Sequence, residues 1–208
     1  MSPPTPSMYH SSVVAILIRI LGISKDAEGA VKARLKYLQR RQFPAGSNQG
    51  RLRTRYDVTQ IAGLTLFFKL ASGFVTPEAA LSVLRRSWDV VGAELSKEGS
   101  SELTGPSSDH RLAILTLDAL SDLGDATRQD GISEAQSACF PGDVEVLRRA
   151  ELGDRSFEKV GLTSIIDLTA LAGELVKEIA RETELEPADV RKAFKTLGSP
   201  FQDQERPS

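Results

Sequence analysis

The chain is poor in the residues that build disulfides, metal sites and histidine-based catalysis. It has one cysteine, Cys139, and two histidines, His10 and His110, among 208 residues. A single cysteine forms no internal disulfide and leaves too few thiols for a structural zinc site, which favours a cytoplasmic protein. The two histidines provide neither a histidine-based triad nor a two-histidine metal site. We therefore expect no enzyme activity, no metal and no cofactor.

Long apolar runs and phosphate-binding loops are also missing. The longest apolar stretch, Val13 to Leu21, is interrupted by Arg19 and is far shorter than the roughly 20 residues that cross a bilayer. No positive charge precedes that stretch, as it would in a signal peptide. No glycine-rich loop ends in Gly-Lys-Ser/Thr. These absences predict a protein without a membrane partner.

Charge is distributed unevenly along the chain. Residues 1–90 hold thirteen Lys and Arg against five Asp and Glu, a net charge of +8. Residues 91–208 hold thirteen against twenty-three, a net charge of −10, so the total is −2. A basic first half and an acidic second half indicate polyanion binding by the first half.

Two consecutive helices are predicted in the basic half. Apolar residues recur with helical spacing from Ser11 to Ile23, and a short turn then leads to a second helix from Gly29 to Arg41. No acid lies between Glu28 and Asp57 to pair with the bases of the second helix. Two helices in this order, the second one basic, are typical of a helix-turn-helix that lays its second helix in the major groove.

The segment after the second helix has the pattern of a β wing. Glycine, serine and asparagine at residues 46–50 favour a turn, and arginines then alternate with Leu52, Thr54 and Tyr56. Alternate side chains of a strand point to the same side, so the arginines can reach phosphates together. The residues predicted to contact DNA are Lys25, Lys32, Arg34, Lys36, Tyr37, Arg40, Arg41, Arg51, Arg53, Arg55 and Tyr56.

Two further helices are expected after the wing. Asp57 with Gln60 forms a predicted capping box for a helix that ends at Gly73, and Thr76-Pro77 begins the next, which reaches about Val91.

In this order of elements, residues 13–91 resemble the DNA-binding domain of the MerR family of winged helix-turn-helix regulators. The matching segments are Leu35-Lys36-Tyr37-Leu38-Gln39, Arg53-Thr54-Arg55-Tyr56 and Ser72-Gly73-Phe74-Val75-Thr76-Pro77-Glu78. The resemblance implies a DNA-binding homodimer that bends its site. Residues 91–105 depart from the family, because they do not continue as its long dimerisation helix.

The second half begins with a predicted flexible linker and contains one helical seam. Residues 96–109 have a linker composition, and Arg111 to Leu120 fits either a buried strand or a short helix. From Ser164 to Thr183 the apolar spacing predicts either a short dimer coiled coil or a core helix. The residues of this candidate dimerisation seam are Ile165, Leu168, Ala172, Leu175 and Ile179.

The fold predicted from these patterns is mainly α, with an N-terminal winged helix-turn-helix and a mostly helical C-terminal domain. The expected divisions are a disordered tail (1–10), a DNA-binding domain (11–95), a linker (96–109), an acidic regulatory or dimerisation domain (110–200) and a second tail (201–208). A final helix is expected from Pro187 to Leu197.

The predicted function is sequence-specific binding of double-stranded DNA by a homodimeric transcriptional regulator, with RNA polymerase or a regulatory protein as a further candidate partner. The alternatives are an architectural DNA-binding accessory protein of recombination or packaging, and a protein–protein interaction module.

Overall fold

A computed structural model describes residues 6–46, 55–72, 76–102, 109–117, 144–154 and 162–201 of the chain. These residues are mainly helical and include two small antiparallel sheets. Among the described helices, none combines the length and hydropathy that a bilayer crossing requires. The helices are α1 (His10–Leu21), α2 (Glu28–Arg40), α3 (Val58–Ser72), α4 (Pro77–Ser100), α5 (Leu168–Thr183) and α6 (Pro187–Phe194). The strands are β1 (Met8–Tyr9), β2 (Arg55–Tyr56), β3 (Arg111–Leu117), β4 (Val144–Arg148) and β5 (Leu162–Asp167).

The first two predicted helices are confirmed as α1 and α2. Helix α1 ends at Gly22, which has φ +62°, a left-handed conformation that glycine adopts without steric cost. A 3-10 turn, Lys25–Ala27, follows and leads into α2. The N-cap of the 3-10 turn is Ser24, whose side chain accepts a hydrogen bond from the backbone N–H of Asp26.

The predicted starts of α3 and α4 are confirmed by their caps. The backbone N–H of Asp57 donates to Gln60 Oε1 at 3.0 Å, and the N–H of Gln60 donates to Asp57 Oδ1 at 2.8 Å, which is a reciprocal capping box. Thr76 accepts from the backbone N–H of Ala79 and precedes Pro77. Residues 73–75, part of the segment matched to the MerR family, lie outside the described residues.

Helix α4 is longer than predicted, and the linker prediction is wrong over residues 96–100. Gly99 is buried against the ring of Phe194, and Ser96 Oγ donates to the carbonyl oxygen of Phe194 at 2.6 Å. Contacts from α6 therefore stabilise a helical turn whose composition alone is typical of a loop.

Residues 111–117 form β3, which is the strand alternative of the prediction. This strand is central in a three-stranded sheet, between β4 and β5. Leu112 and Ile114 pack with Leu147 on one side, while Ala113 joins the main core on the other. A strand covered on both sides is apolar at successive positions, which explains why its periodicity was ambiguous. The sheet itself was not predicted for a mostly helical C-terminal domain.

Four of the five residues of the predicted dimerisation seam lie in the core of the single chain. Ile165 belongs to β5, not to a helix, and its side chain is 45% exposed. The other four seam residues lie on α5 and are at most 2% exposed. Side chains buried in one subunit cannot also line a dimer interface, so the core-helix alternative describes α5. These four residues are Leu168, Ala172, Leu175 and Ile179.

Both predicted domains contribute to one hydrophobic cluster. Helix α1 and helix α4 both pack against α5, and the cluster extends from Met8 to Phe194. The chain then returns to the N-terminal half, where the backbone N–H of Ala45 donates to the carbonyl oxygen of Pro200 at 2.7 Å. Phe201 packs against Phe43 there, with the rings tilted and their centroids 5.0 Å apart. The described parts of the two predicted domains therefore share one main hydrophobic cluster, in contrast to the prediction of two separate domains joined by a linker.

The prediction of a disordered N-terminal tail is wrong for Met8 and Tyr9. Met8 is 2% exposed, and Met8–Tyr9 pairs with Arg55–Tyr56 as a two-stranded sheet. A buried methionine anchors this segment in the core, which a tail rich in proline and serine did not indicate.

Candidate nucleic-acid interface

Helix α2 has one buried face and one exposed basic face. Val31, Leu35 and Leu38 are at most 3% exposed and join the core. At 3.6 residues per turn, Lys36 and Arg40 lie on the opposite side, and both side chains are exposed. The core therefore determines which side chains of α2 a ligand can reach.

Two cations of α2 and its C-cap have acidic partners, contrary to the prediction of an unpaired basic helix. Lys32 pairs with Glu28 one turn earlier, and Arg41 Nη2 lies 3.4 Å from Glu78 Oε1 of α4. Tyr37 also donates a hydrogen bond to Glu78. That bond holds the pKa of Glu78 below its ordinary value, while burial and Glu78 raise the pKa of Tyr37. Glu78 was missed because its proximity depends on how α4 packs.

Most of the remaining predicted cations of this region are exposed and unpaired within the described part of the chain. The side chains of Arg34, Lys36 and Arg40 form no ion pair or hydrogen bond with any residue there, whereas Lys25 lies close enough to Glu28 to contribute, after Lys32, to the lowered pKa of that carboxyl. An external anion can therefore bind at the unpaired positions without first breaking an internal ion pair. They are the part of the predicted set best suited to an external polyanion.

Arg55 is displayed at the edge of the two-stranded sheet. Its Nη2 donates to Tyr9 Oη at 3.0 Å, and its guanidinium lies 5.1 Å from the centre of the Tyr9 ring. These contacts orient an exposed arginine on the surface of the β1–β2 sheet. Arg51 and Arg53, the other predicted wing arginines, lie outside the described residues.

Tyr56 is a core residue, and its predicted contact with DNA is not retained. The side chain is fully buried, and its hydroxyl accepts a hydrogen bond from Gln39 Nε2 at 2.6 Å. Burial raises the pKa of Tyr56. A phenol enclosed in this way joins β2 to α2 and cannot reach a phosphate. The Gln39 partner was not predicted, since nothing local in the sequence relates residues 39 and 56.

A second polar cluster surrounds the start of α5. Asp167 Oδ2 lies 2.9 Å from His110 Nδ1 and 3.0 Å from Arg149 Nη2, and Asp167 Oδ1 accepts from the backbone N–H of Ala170 at 2.8 Å. Asp167 is thus the N-cap of α5, and it also contacts the residue before β3 and the residue after β4. No group of three or more metal-ligating side chains occurs in the part of the chain that the structure describes.

Comparisons of the chain with protein-family models, with curated proteins and with solved structures gave no match.

Proposed function

We propose that this protein binds double-stranded DNA as a cytoplasmic, homodimeric regulator of the winged helix-turn-helix kind. Helix α2 enters the major groove, and Arg55 lies along the flanking backbone. The protein reads two half-sites, and each protomer neutralises about four to six phosphates, each of which adds about 0.9 to the logarithmic salt slope.

The observation that carries this proposal is the exposed, unpaired basic face of α2. Lys36 and Arg40 are one turn apart on the side opposite the buried residues. Surface cations that only confer solubility are usually interspersed with acids, whereas these two have no partner in the described residues. A helix anchored on one side and cationic on the other fits a groove lined by phosphates.

Neutralising this face is expected to weaken DNA binding. The double variant Lys36→Gln/Arg40→Gln should lower affinity for duplex DNA by about tenfold or more. Its logarithmic salt slope should fall by roughly two, because two phosphate contacts are lost. Fluorescence anisotropy with a labelled duplex at several salt concentrations measures both quantities.

The matched control is Lys177→Gln/Lys195→Gln, which removes the same charge from exposed cations on α5 and after α6. It should leave the salt slope nearly unchanged. Equal losses in the two double variants would show that only net charge matters, and a wild-type affinity insensitive to salt would refute the proposal.

Removal of the acid beside the basic face is expected to strengthen binding. Glu78→Gln frees Arg41 and Tyr37 from their shared partner and removes a negative charge near the proposed interface. The salt slope should then become steeper by about one. The control Glu174→Gln changes an exposed acid of α5, and an equal gain with that variant would contradict a local role for Glu78.

A second candidate, architectural DNA binding, is favoured by the start of α2. Gly29, Ala30 and Ala33 are exposed there, and none of them can donate a side-chain hydrogen bond to a base edge. Selection from a random duplex pool distinguishes the candidates. An enriched inverted repeat supports the homodimeric regulator, retention without enrichment supports the architectural protein, and no retention contradicts both.

The four seam residues on α5 are buried, so we propose that the homodimer forms through another part of the surface. Two half-sites on one face of B-DNA lie about 34 Å apart, so a homodimer should protect a site longer than one helical turn. Analytical ultracentrifugation of the complex measures the number of chains for each duplex, and a single chain on the selected site would remove the homodimer from the proposal.

A further inference from the structure

A cavity of about 370 Å³ lies beside the exposed face of α2. Its walls come from the end of α1, the turn Lys25–Ala27, the middle of α2 and the end of α3. This volume lies within the range of small-molecule sites. It also exceeds the roughly 150 Å³ in which an apolar cavity holds benzene.

The walls of the cavity are largely apolar. Leu21 and Ile23 contribute from the end of α1 and the segment after it, Val31 from α2, and Phe68 from α3. Val31 and Phe68 are 3% and 7% exposed, so their positions are set by the core. A preformed apolar wall of this kind suits a flat or branched hydrocarbon body.

The described lining residues also include two cations, Arg34 and Lys69. Arg34 is exposed and forms no ion pair within the described residues. Lys69, in the last turn of α3, donates to the carbonyl oxygen of Ile20 at 3.4 Å, a long contact that leaves donors of its ammonium group for another acceptor. None of the described residues that line the cavity is Asp or Glu. Its electrostatic complement is therefore an anion.

We infer that this cavity binds a small amphipathic anion, with a carboxylate between Arg34 and Lys69 and an apolar body against Val31 and Phe68. The carboxylate would accept charge-assisted hydrogen bonds from both cations, and these contribute more than neutral ones. The inference does not depend on DNA binding, since it concerns the protein alone.

The test uses 2-naphthoate and the uncharged 2-naphthamide, which share a two-ring body and differ in charge. Isothermal titration calorimetry of the full chain should show one saturable naphthoate site, with naphthamide at least tenfold weaker. Arg34→Gln and Lys69→Gln should each raise the Kd for naphthoate by roughly tenfold. Lys177→Gln, which removes an exposed cation of α5 outside the cavity, should leave it unchanged.

Two outcomes would overturn the inference: equal affinity for the two compounds, or equal effects of Arg34→Gln and Lys177→Gln. Ala30→Phe should block the cavity and abolish binding, with circular dichroism reporting whether the variant is folded. The wild-type chain provides a test that needs no variant. In its amide NMR spectrum, naphthoate should shift Ala27, Ala30 and Phe68, and shifts confined to other residues would place the ligand elsewhere.

Discussion

Replacing Phe194 with alanine is expected to lower the free energy of unfolding by about 3–5 kcal/mol. The Phe194 side chain is fully buried, and it lies so close to α4 that a Cβ on Gly99 would be 2.2 Å from its Cδ1. Removing the ring would leave a cavity between α4 and α6 that two packed helices cannot readily close. Urea unfolding followed by the fluorescence of Trp88, the single tryptophan, measures the change.

Lys195→Ala is the matched control, because it shortens the next side chain, which is exposed. Its effect should stay within about 0.5 kcal/mol. A loss below about 1 kcal/mol for Phe194→Ala would show that α6 does not belong to the shared core.

The same experiment tests whether the chain unfolds as one unit. A core that includes both α1 and α5 predicts that Trp88 fluorescence and far-ultraviolet circular dichroism change at the same urea concentration. Two separated transitions would instead support the division into two domains that charge and composition indicate.

The starts of the helices were predictable because their causes are local. Asp57 with Gln60 and Thr76 with Pro77 satisfy backbone groups within a few residues of themselves, so their residue types are informative without tertiary structure. The periodic apolar residues of α1 and α2 were equally direct, since a helix that packs on a core must repeat them.

The end of α4 and the role of α5 depended on distant parts of the chain. Glycine and serine near residue 99 favour a loop, yet Gly99 is required there because Phe194 occupies the space of a side chain. The heptad spacing of α5 is the same for a dimer seam and for a core helix. Only the positions of α1 and α4 decide between them.

The candidate interface was predictable in its cations and not in their partners. A scan of the local sequence identifies Lys36 and Arg40 but cannot show that α4 brings Glu78 to Arg41. Nor can it show that Tyr56 is enclosed beneath Gln39. The charged residues of the sequence thus predicted which surface could bind an anion. The packing of the helices determined which of the predicted contact residues have no internal partner.

Replacing Arg19 with alanine is expected to destabilise the protein by about 1.5–3 kcal/mol. Arg19 interrupts the apolar stretch of α1 and forms ion pairs with Glu178 and Glu182 of α5. The Glu178 side chain is 11% exposed and that of Glu182 is 20% exposed. The variant would leave Glu182 without its cation and Glu178 with only Arg181, whose Nη1 lies 4.0 Å from Glu178 Oε2, in a partly buried position. The loss should be smaller than the roughly 3–5 kcal/mol of a fully buried pair, because the Arg19 side chain is 29% exposed.

A double-mutant cycle separates the ion pair from the lost packing of the arginine side chain. Arg19→Met keeps an apolar side chain of similar length, and Glu178→Leu removes the more buried carboxylate. Combining them should cost less than the sum of the single variants, since replacing both members of a buried pair by apolar groups is often nearly neutral. Urea unfolding followed by Trp88 fluorescence gives the four free energies. Strict additivity would mean that Arg19 and Glu178 are not coupled by charge, and that the arginine acts through packing or through Glu182.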